Sequence, residues 1–305
     1  MQRYIIIRLL LGILTLVLLS IVVFAMSRAT GDPLLVLLGT QATEEERESA
    51  RHELGLDKPL PNQYFIWARD VLQGDLGKSI RSKRPVTELI RERFPETVKL
   101  AVATVIFTIP LGLVLGVLCA IKRNKLIDMI GRFIAVLGQS LPGFWVGIML
   151  MLLFAVTWNV LPASGTGGPS HFVLPVITMG LAFLAGILRL TRSSMLEVLG
   201  SDYITFARAQ GTPEKLVILK HALRNAAIPV ITLSTVLFAY LLTGSIITET
   251  VFAWPGLGRL AYDAIFSRDF PVIQGIVLLY GAIFVTLNLL ADLLYAWSDP
   301  RIRHR

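Results

Sequence analysis

The chain has 305 residues, of which 54% are apolar and only 16% are charged, whereas soluble domains carry about 25% charged residues. Its net charge of +8 comes from basic residues placed between long uncharged apolar runs, a pattern that favours orientation in a membrane over binding of nucleic acid. The composition therefore excludes a cytosolic enzyme, a nucleic-acid binder and a disordered protein.

Apolar stretches of about 20 residues, enough to cross a bilayer core of about 30 Å as a helix, define the predicted elements. They cover, in chain order, residues of about 9–27, 98–121, 133–159, 172–190, 226–250 and 270–297. The third and fourth stretches are separated by a run rich in Gly, Pro and Ser, which is typical of a loop. The sequence thus predicts an all-α, polytopic membrane protein with six transmembrane helices.

Basic residues in the short loops predict the orientation of these helices. They concentrate before the first helix, after the second, after the fourth and in the C-terminal tail, and the hairpin between the third and fourth helices has none. Because cytoplasmic loops carry an excess of Lys and Arg, we expect both termini to be cytoplasmic. The first apolar run is longer than that of a usual signal peptide, which predicts an uncleaved first helix.

The long loop after the first helix carries its own helix signals. Thr43 is followed by three glutamates, a combination that favours a helix start. Residues 64–72 fit an amphipathic helix, and Pro85 opens a further short helix that Pro95 should end. We expect a small helical extracytoplasmic subdomain; a spacer without fixed structure is the alternative.

The cytoplasmic loop over residues 191–225 is long enough for two short helices. The first is predicted over 202–210 and ends at Gly211, and Thr212 is the predicted N-cap of the second, with Pro213 at its first position. Small residues in the loop allow close approach of another protein. An ordinary solvated loop is the alternative.

Small residues also recur at a spacing of four inside two predicted spans. Gly112, Gly116 and Ala120 share one face of the second helix, and Gly143 and Gly147 share one face of the third. Such faces are typical of closely packed membrane helices; lining of a wide cavity is the alternative.

Seven segments, taken in chain order, resemble the permease subunits of ABC importers of the dipeptide/oligopeptide/nickel family, and the B-type peptide permease in particular. They are GDLG at 74–77, SSMLEVL at 193–199, DYITFARAQG at 202–211, HALRNAAIPV at 221–230, WPGLGR at 254–259, RDFPV at 268–272 and DPRIR at 299–303. Thr205-Phe206-Ala207 stands where the general importer loop has Glu-Ala-Ala, a departure that is usual for the peptide branch.

The resemblance implies the type I ABC importer permease fold, with an N-terminal helix and extracytoplasmic subdomain over 1–96 and a permease core over 97–305. It implies that loop 191–225 couples the permease to ATPases, through the candidate residues Asp202, Tyr203, Thr205, Ala207, Arg208, Ala209, Gly211, Thr212, His221, Leu223 and Arg224. It also implies an extracytoplasmic gate or packing motif made of Glu249, Trp254, Pro255, Gly256, Gly258 and Arg259.

The partners implied by the resemblance are a second, C-type permease subunit, two ABC ATPase subunits and an extracytoplasmic substrate-binding protein, all at a bacterial inner membrane. The chain is not expected to be an enzyme or to hold a cofactor or metal itself. Its Gly77-Lys78-Ser79 looks like the end of a P-loop, but Leu72 stands where that motif requires glycine. ATP and Mg²⁺ are therefore expected at the partner ATPases.

The expected cargo is a dipeptide or oligopeptide, and nickel or glutathione permeases of the same family are alternatives. A self-sufficient secondary transporter is an alternative of a different class; it predicts internal repeats and acidic residues near mid-membrane. An intramembrane enzyme would require a convergent catalytic set within the spans. The sequence shows neither set of features.

Overall fold

The computed structural model describes residues 2–29, 43–53, 57–243 and 245–298. Within these ranges the secondary structure is helical, apart from an isolated β-bridge between Lys78 and Pro85. Five helices are long and apolar enough to cross a membrane, and a bent pair of helices makes a sixth if it counts as one span. The all-α, polytopic architecture is therefore confirmed.

The helices follow one another without intervening sheets in the described ranges. They are α1 Gln2–Ala29, α2 Glu44–Glu53, α3 Leu60–Leu72, α4 Val86–Ile121, α5 Leu126–Ser140, α6 Gly143–Thr157, α7 Ser170–Leu199, α8 Asp202–Ala209, α9 Glu214–Thr243, α10 Ile246–Val251, α11 Leu257–Phe266 and α12 Phe270–Ser298. The candidate spans are α1, α4, α7, α9, α12 and the bent pair α5–α6. Short π-helical stretches lie in α6 and α9, at Met151–Thr157 and Val217–Ala222.

The single helix predicted over 133–159 is instead a pair of helices. The chain bends by 107° between α5 and α6, where Leu141 has extended backbone angles, φ −84° and ψ 131°. A residue that precedes proline avoids the helical region, and Leu141 precedes Pro142. The hydropathy pattern hid this break because apolar residues continue through it.

Pro95 does not end a helix, contrary to the sequence-based expectation. The helix α4 runs from Val86 through Pro95 to Ile121. An internal proline removes a backbone hydrogen bond and strains a helix. Packing offsets this strain, because Val86 belongs to one buried apolar cluster and Leu100 to another.

Two further boundaries differ from the predicted ones. The loop predicted over 191–225 is shorter, because α7 continues to Leu199. The fifth span, predicted to reach residue 250, ends at Thr243, and Ile246–Val251 forms a separate short helix. The motif at 299–303 lies outside the described residues.

The chain forms two compact units. The terminal unit comprises Met1–Glu96 with Gly256–Arg305, and the central unit comprises Thr97–Pro255. In the terminal unit α12 packs along α1, and in the central unit α5 and α9 both pack against α7. The C-terminal fifty residues thus group with the N-terminal segment, whereas the sequence analysis placed them with the core.

Close helix packing accounts for most of the small residues noted in the sequence. A Cβ atom added at Gly112 would lie 2.6 Å from Cγ2 of Ile187, and one at Gly116 would lie 2.5 Å from Cβ of Thr191. A Cβ atom added at Gly147 would lie 3.1 Å from Cγ2 of Thr178. Gly143 differs, because a Cβ atom there would meet open space.

Candidate functional site

Residues 200–225, here called the elbow, contain the predicted coupling residues. The helix expected over 202–210 is present as α8, and α9 begins at Glu214. Between them Gly211 has φ +77°, a left-handed conformation that favours glycine. The predicted N-cap at Thr212 is wrong: Pro213 is the residue before the helix, and no side chain caps it.

One face of the elbow is buried against three spans. Ile204 of α8 and Val217 of α9 are fully buried, and they pack in one apolar cluster with Met195 of α7 and Val117 of α4. Ala207 belongs to the same buried face. Because apolar side chains from α4, α7, α8 and α9 share this cluster, the elbow is attached firmly to the membrane helices.

Polar side chains join the two arms of the elbow. The guanidinium of Arg208 donates two hydrogen bonds to the carboxylate of Glu214, at 3.1 and 2.7 Å. These hydrogen bonds raise the pKa of Arg208 above its ordinary value. The amide Nδ2 of Asn225 donates to the hydroxyl of Tyr203 at 2.8 Å and to the carbonyl of His221 at 3.1 Å.

The outer face of the elbow exposes large apolar side chains. Tyr203 and Phe206, three residues apart on α8, are 44% and 64% exposed, and Leu216 and Leu219 on α9 are 48% and 52% exposed. Exposed apolar residues grouped in this way are typical of a protein–protein contact. The sequence analysis missed Phe206, Leu216 and Leu219. The spacing of three between Tyr203 and Phe206, and again between Leu216 and Leu219, was a usable signal.

The predicted coupling residues divide by exposure. Ala207 is buried, and Thr212, His221 and Leu223 are half-buried. The exposed members are Asp202, Tyr203, Thr205, Arg208, Ala209, Gly211 and Arg224.

The first half of the predicted gate motif forms a buried anchor in the central unit. The carboxylate of Glu249 is fully buried and accepts hydrogen bonds from the hydroxyls of Ser245, at 2.5 Å, and Thr97, at 2.8 Å. Trp254 is also fully buried. Its ring meets Phe172 edge-on at 4.7 Å, and its amide donates to the carbonyl of Glu249 at 2.8 Å.

The second half of that motif belongs to the terminal unit. Gly256 precedes α11 in an extended conformation, and Gly258 is buried in its first turn. Arg259 is half-buried, and so is Pro255, the last residue of the central unit. The structure therefore divides the six predicted residues between two units.

A second buried carboxylate joins the RDFPV motif at 268–272 to residues 79–81, which follow the GDLG motif. Asp269 accepts hydrogen bonds from the hydroxyl of Ser79 at 2.5 Å and from the amides of Ile80 and Arg81 at 3.0 and 3.3 Å. Nearby, Asp75 accepts from the amide of Gly77 at 2.8 Å. Residues 77–79, which look like the end of a P-loop, thus form part of a turn fixed by Asp269.

A buried ion pair joins α5 to α7. Asp128 is fully buried and accepts hydrogen bonds from Nε of Arg192 at 2.6 Å and from its terminal nitrogen at 2.9 Å. The backbone amide of Asn124 also donates to this carboxylate, at 3.0 Å. The two charged residues are 64 positions apart in sequence, so no local pattern pointed to the pair.

In the part of the chain that the structure describes, no group of three or more His, Cys, Asp or Glu side chains is arranged to hold a metal ion.

Known proteins share both the sequence and the fold. Residues 112–304 match the family described as "Binding-protein-dependent transport system inner membrane component", and residues 1–101 match the family of its N-terminal part. The glutathione transport system permease protein GsiC of Pectobacterium atrosepticum is 45% identical over the full length of both chains. The dipeptide transport system permease protein DppB of Escherichia coli K12 is 42% identical, again over both full lengths.

A solved structure of the MetNI methionine ABC transporter in an inward-facing conformation has a TM-score of 0.57 and 19% identity. The match covers 69% of this chain and 96% of that one, and it shows a shared fold. Taken with the five candidate spans, the bent helix pair and the full-length relatives, these matches show that the chain belongs to the family of inner-membrane permease components of binding-protein-dependent ABC importers.

Proposed function

We propose that this permease carries short peptides with free carboxylates, glutathione included, into the cell. The observation that carries the proposal is the full-length similarity to relatives named for glutathione transport and for dipeptide transport, at 45% and 42% identity. Glutathione and dipeptides share peptide amides and free carboxylates, so one pathway suits both. Nickel, a bare cation, fits this shared chemistry less well.

We further propose the partners of the complex. A second, C-type permease completes the pathway, two ATPases bind and hydrolyse Mg²⁺-ATP, and an extracytoplasmic binding protein delivers the cargo. The family description "binding-protein-dependent" supports the last of these partners. The exposed apolar residues of the elbow support an ATPase contact there, since Phe206 is 64% exposed and such residues are typical of interfaces.

The elbow is proposed to act as a lever between the ATPases and the pathway. Its exposed face meets the ATPase, and its buried face packs against side chains of α4 and α7. Packed interiors transmit displacement rather than absorb it. Closure of the ATPases on ATP therefore displaces the elbow and rocks the spans as rigid bodies, which is how many transporters alternate access.

This mechanism places the elbow and both termini on the cytoplasmic side. The excess of Lys and Arg in the loops around α4–α5 and α7–α9 supports that orientation. Modification of single cysteines by a thiol reagent that does not cross the membrane tests it in intact cells. A cysteine in place of exposed Lys215 should react only after the cells are opened, and one in place of exposed Ser82 should react at once.

Isolation of the chain from its native membrane tests the partner assignment. A tagged copy is purified in mild detergent, and the proteins bound to it are identified. We expect an ATPase and a second permease, and we expect the ATPase activity of the complex to rise when loaded binding protein is added. Recovery of the chain alone, with ion-gradient-driven transport, would instead support a secondary transporter.

A further inference from the structure

An open cavity of about 850 Å³ lies in the central unit, where α7 meets the end of α5 and the middle of α9. Its wall is largely apolar, formed by side chains such as Phe183, Leu233 and Leu237. Only two lining residues carry polar side chains, Gln139 of α5 and Arg189 of α7. The cavity thus combines a neutral wall with one amide and one permanent cation.

Arg189 is available to a ligand, in contrast to the next arginine on its helix. Arg192 is half-buried and uses its guanidinium on the carboxylate of Asp128. Arg189 is exposed, and no acidic side chain among the described residues lies within ion-pair distance of it. A guanidinium presents paired N–H donors that match the two oxygens of a carboxylate.

Gly186 gives independent support to the cavity as a passage. It lies inside α7, where glycine is a poor helix former, and a Cβ atom added there would meet no atom within 4 Å. Most other helical glycines of this unit, although not Gly143, are explained by packing; at Gly138, for example, a Cβ atom would lie 2.9 Å from the carbonyl oxygen of Leu181. Packing does not explain Gly186. This residue lines the cavity, and because it has no side chain it leaves the cavity wider at that point.

The position of Arg189 along α7 places it near one end of the span. It follows Ser170, the first residue of the helix, by a distance of about 28 Å at a rise of 1.5 Å per residue. That is close to the thickness of a bilayer core, about 30 Å. Arg189 therefore lies toward the end of the cavity nearest the elbow, which the proposed orientation makes the cytoplasmic end.

We propose that this cavity is a substrate-contacting stretch of the translocation pathway, in which Arg189 pairs with the carboxylate of a short peptide and Gln139 meets its amide groups. The inference rests on the proposed function of peptide import and adds the residues that select the cargo. A glutamine side chain both donates and accepts hydrogen bonds, as a peptide bond requires. Because Arg189 is open to water, the pairing is weak enough for release, a condition of transport.

Uptake of matched cargoes by the complete complex in proteoliposomes, with its binding protein and Mg²⁺-ATP, tests the inference. The cargoes are dialanine and dialanine C-terminal amide, and the variants are Arg189→Gln and Arg189→Lys. Arg123→Gln, which removes an exposed cation in the turn after α4, is the control. We expect Arg189→Gln to lower dialanine uptake about tenfold, because the carboxylate loses its charge-assisted contact in a site open to water, and to leave uptake of the amide unchanged. Arg189→Lys, which keeps the charge but not the paired donors, should give uptake between that of Arg189→Gln and that of the unmodified complex. Arg123→Gln should match the unmodified complex.

A second measurement does not depend on the preference of the binding protein. The native Cys119 is buried, so a Gly186→Cys variant places one accessible thiol in the cavity. In the purified complex without binding protein, dialanine should slow maleimide labelling of that thiol several-fold, and Arg189→Gln should abolish the protection.

The two results separate failure of the inference from failure of the proposed function. If the complex takes up peptide, but Arg189→Gln keeps both the preference for the free acid and the protection of the thiol, the inference is overturned and peptide import stands. The inference would also be overturned if Arg189→Gln lowered the uptake of dialanine and of its amide equally while dialanine still protected the thiol. If the unmodified complex moves no peptide and dialanine gives no protection, both proposals fail.

Discussion

Arg208 and Glu214 face each other across Gly211 and are joined by two hydrogen bonds, of 3.1 and 2.7 Å. Both side chains are exposed to water, and exposed ion pairs contribute little to stability. The apolar cluster beneath them, which includes the fully buried Ile204 and Val217, contributes more. The elbow is therefore held by its buried face and given its shape by the turn at Gly211.

Replacement of Gly211 by valine should uncouple ATP hydrolysis from transport. Its φ of +77° is strained for a β-branched residue by about 1–3 kcal/mol, so the turn and the direction of α8 should change. Peptide uptake should fall at least tenfold while the ATPase activity of the complex persists, both measured in the same proteoliposomes. Gly200→Val is the control, because Gly200 has φ −87°; normal uptake by Gly211→Val would contradict the lever.

Removal of the apolar surface of α8 should weaken the ATPase contact without unfolding the chain. Phe206→Ser changes a side chain that is 64% exposed, so the thermal stability of the isolated permease should stay the same. Recovery of the ATPase with the tagged permease should drop several-fold. Phe65→Ser, at a 69% exposed phenylalanine of α3, should leave recovery unchanged, and equal recovery with both variants would place the contact elsewhere.

Breaking the buried ion pair should destabilise the central unit. Asp128→Asn leaves Arg192 without its carboxylate, and loss of one partner from a buried pair typically costs about 3 kcal/mol. The thermal unfolding midpoint of the complex should fall measurably. The double variant Asp128→Asn with Arg192→Gln should recover part of the loss, because the two effects are not additive.

Arg132→Gln provides the comparison for that experiment. The guanidinium of Arg132 lies 3.7 Å from Asp128, but its side chain is 52% exposed, so its loss should change the midpoint little. A midpoint for Asp128→Asn equal to that of Arg132→Gln would show that the buried pair does not stabilise α5 against α7.

The turn held by Asp269 should open when its carboxylate is lost. Asp269→Ala removes the acceptor for the amides of Ile80 and Arg81, and a buried hydrogen bond to a charged group contributes about 1.5–3 kcal/mol. Hydrogen exchange at these two amides should speed up at least tenfold. Asp75→Ala, at an exposed acid whose carboxylate accepts only from the amide of Gly77 in the described contacts, should leave their exchange unchanged.

Much of the architecture could be predicted because bilayer thickness converts directly into lengths of apolar sequence. The span predicted over 270–297 is observed at Phe270–Ser298, and the helix over 202–210 at Asp202–Ala209. Two of the errors in helix bounds arose at prolines. Leu141-Pro142 breaks a helix that hydropathy joins, whereas Pro95 lies within a helix that local rules would end, because packing on both sides of Pro95 outweighs the local preference.

The parts of the candidate site that depend on distant contacts could not be predicted. Asp128 and Arg192 are separated by 64 positions, and Ser79 and Asp269 by 190, so only the fold brings them together. Arg189 and Arg192 look alike in sequence, but in the structure Arg192 is half-buried and meets a carboxylate, whereas Arg189 is exposed and lines a cavity. Gly116 and Gly186 both lie within predicted apolar stretches, yet Gly116 packs closely against α7 and Gly186 lines a cavity.

Accumulation of labelled dialanine in proteoliposomes tests the central claim most directly, with the chain reconstituted either alone or together with its second permease, its ATPases and its binding protein. The account predicts uptake against the gradient only in the complete complex, only with hydrolysable Mg²⁺-ATP on the ATPase side, and none by the chain alone. Uphill uptake by the chain alone, driven by an ion gradient and indifferent to ATP, would contradict it.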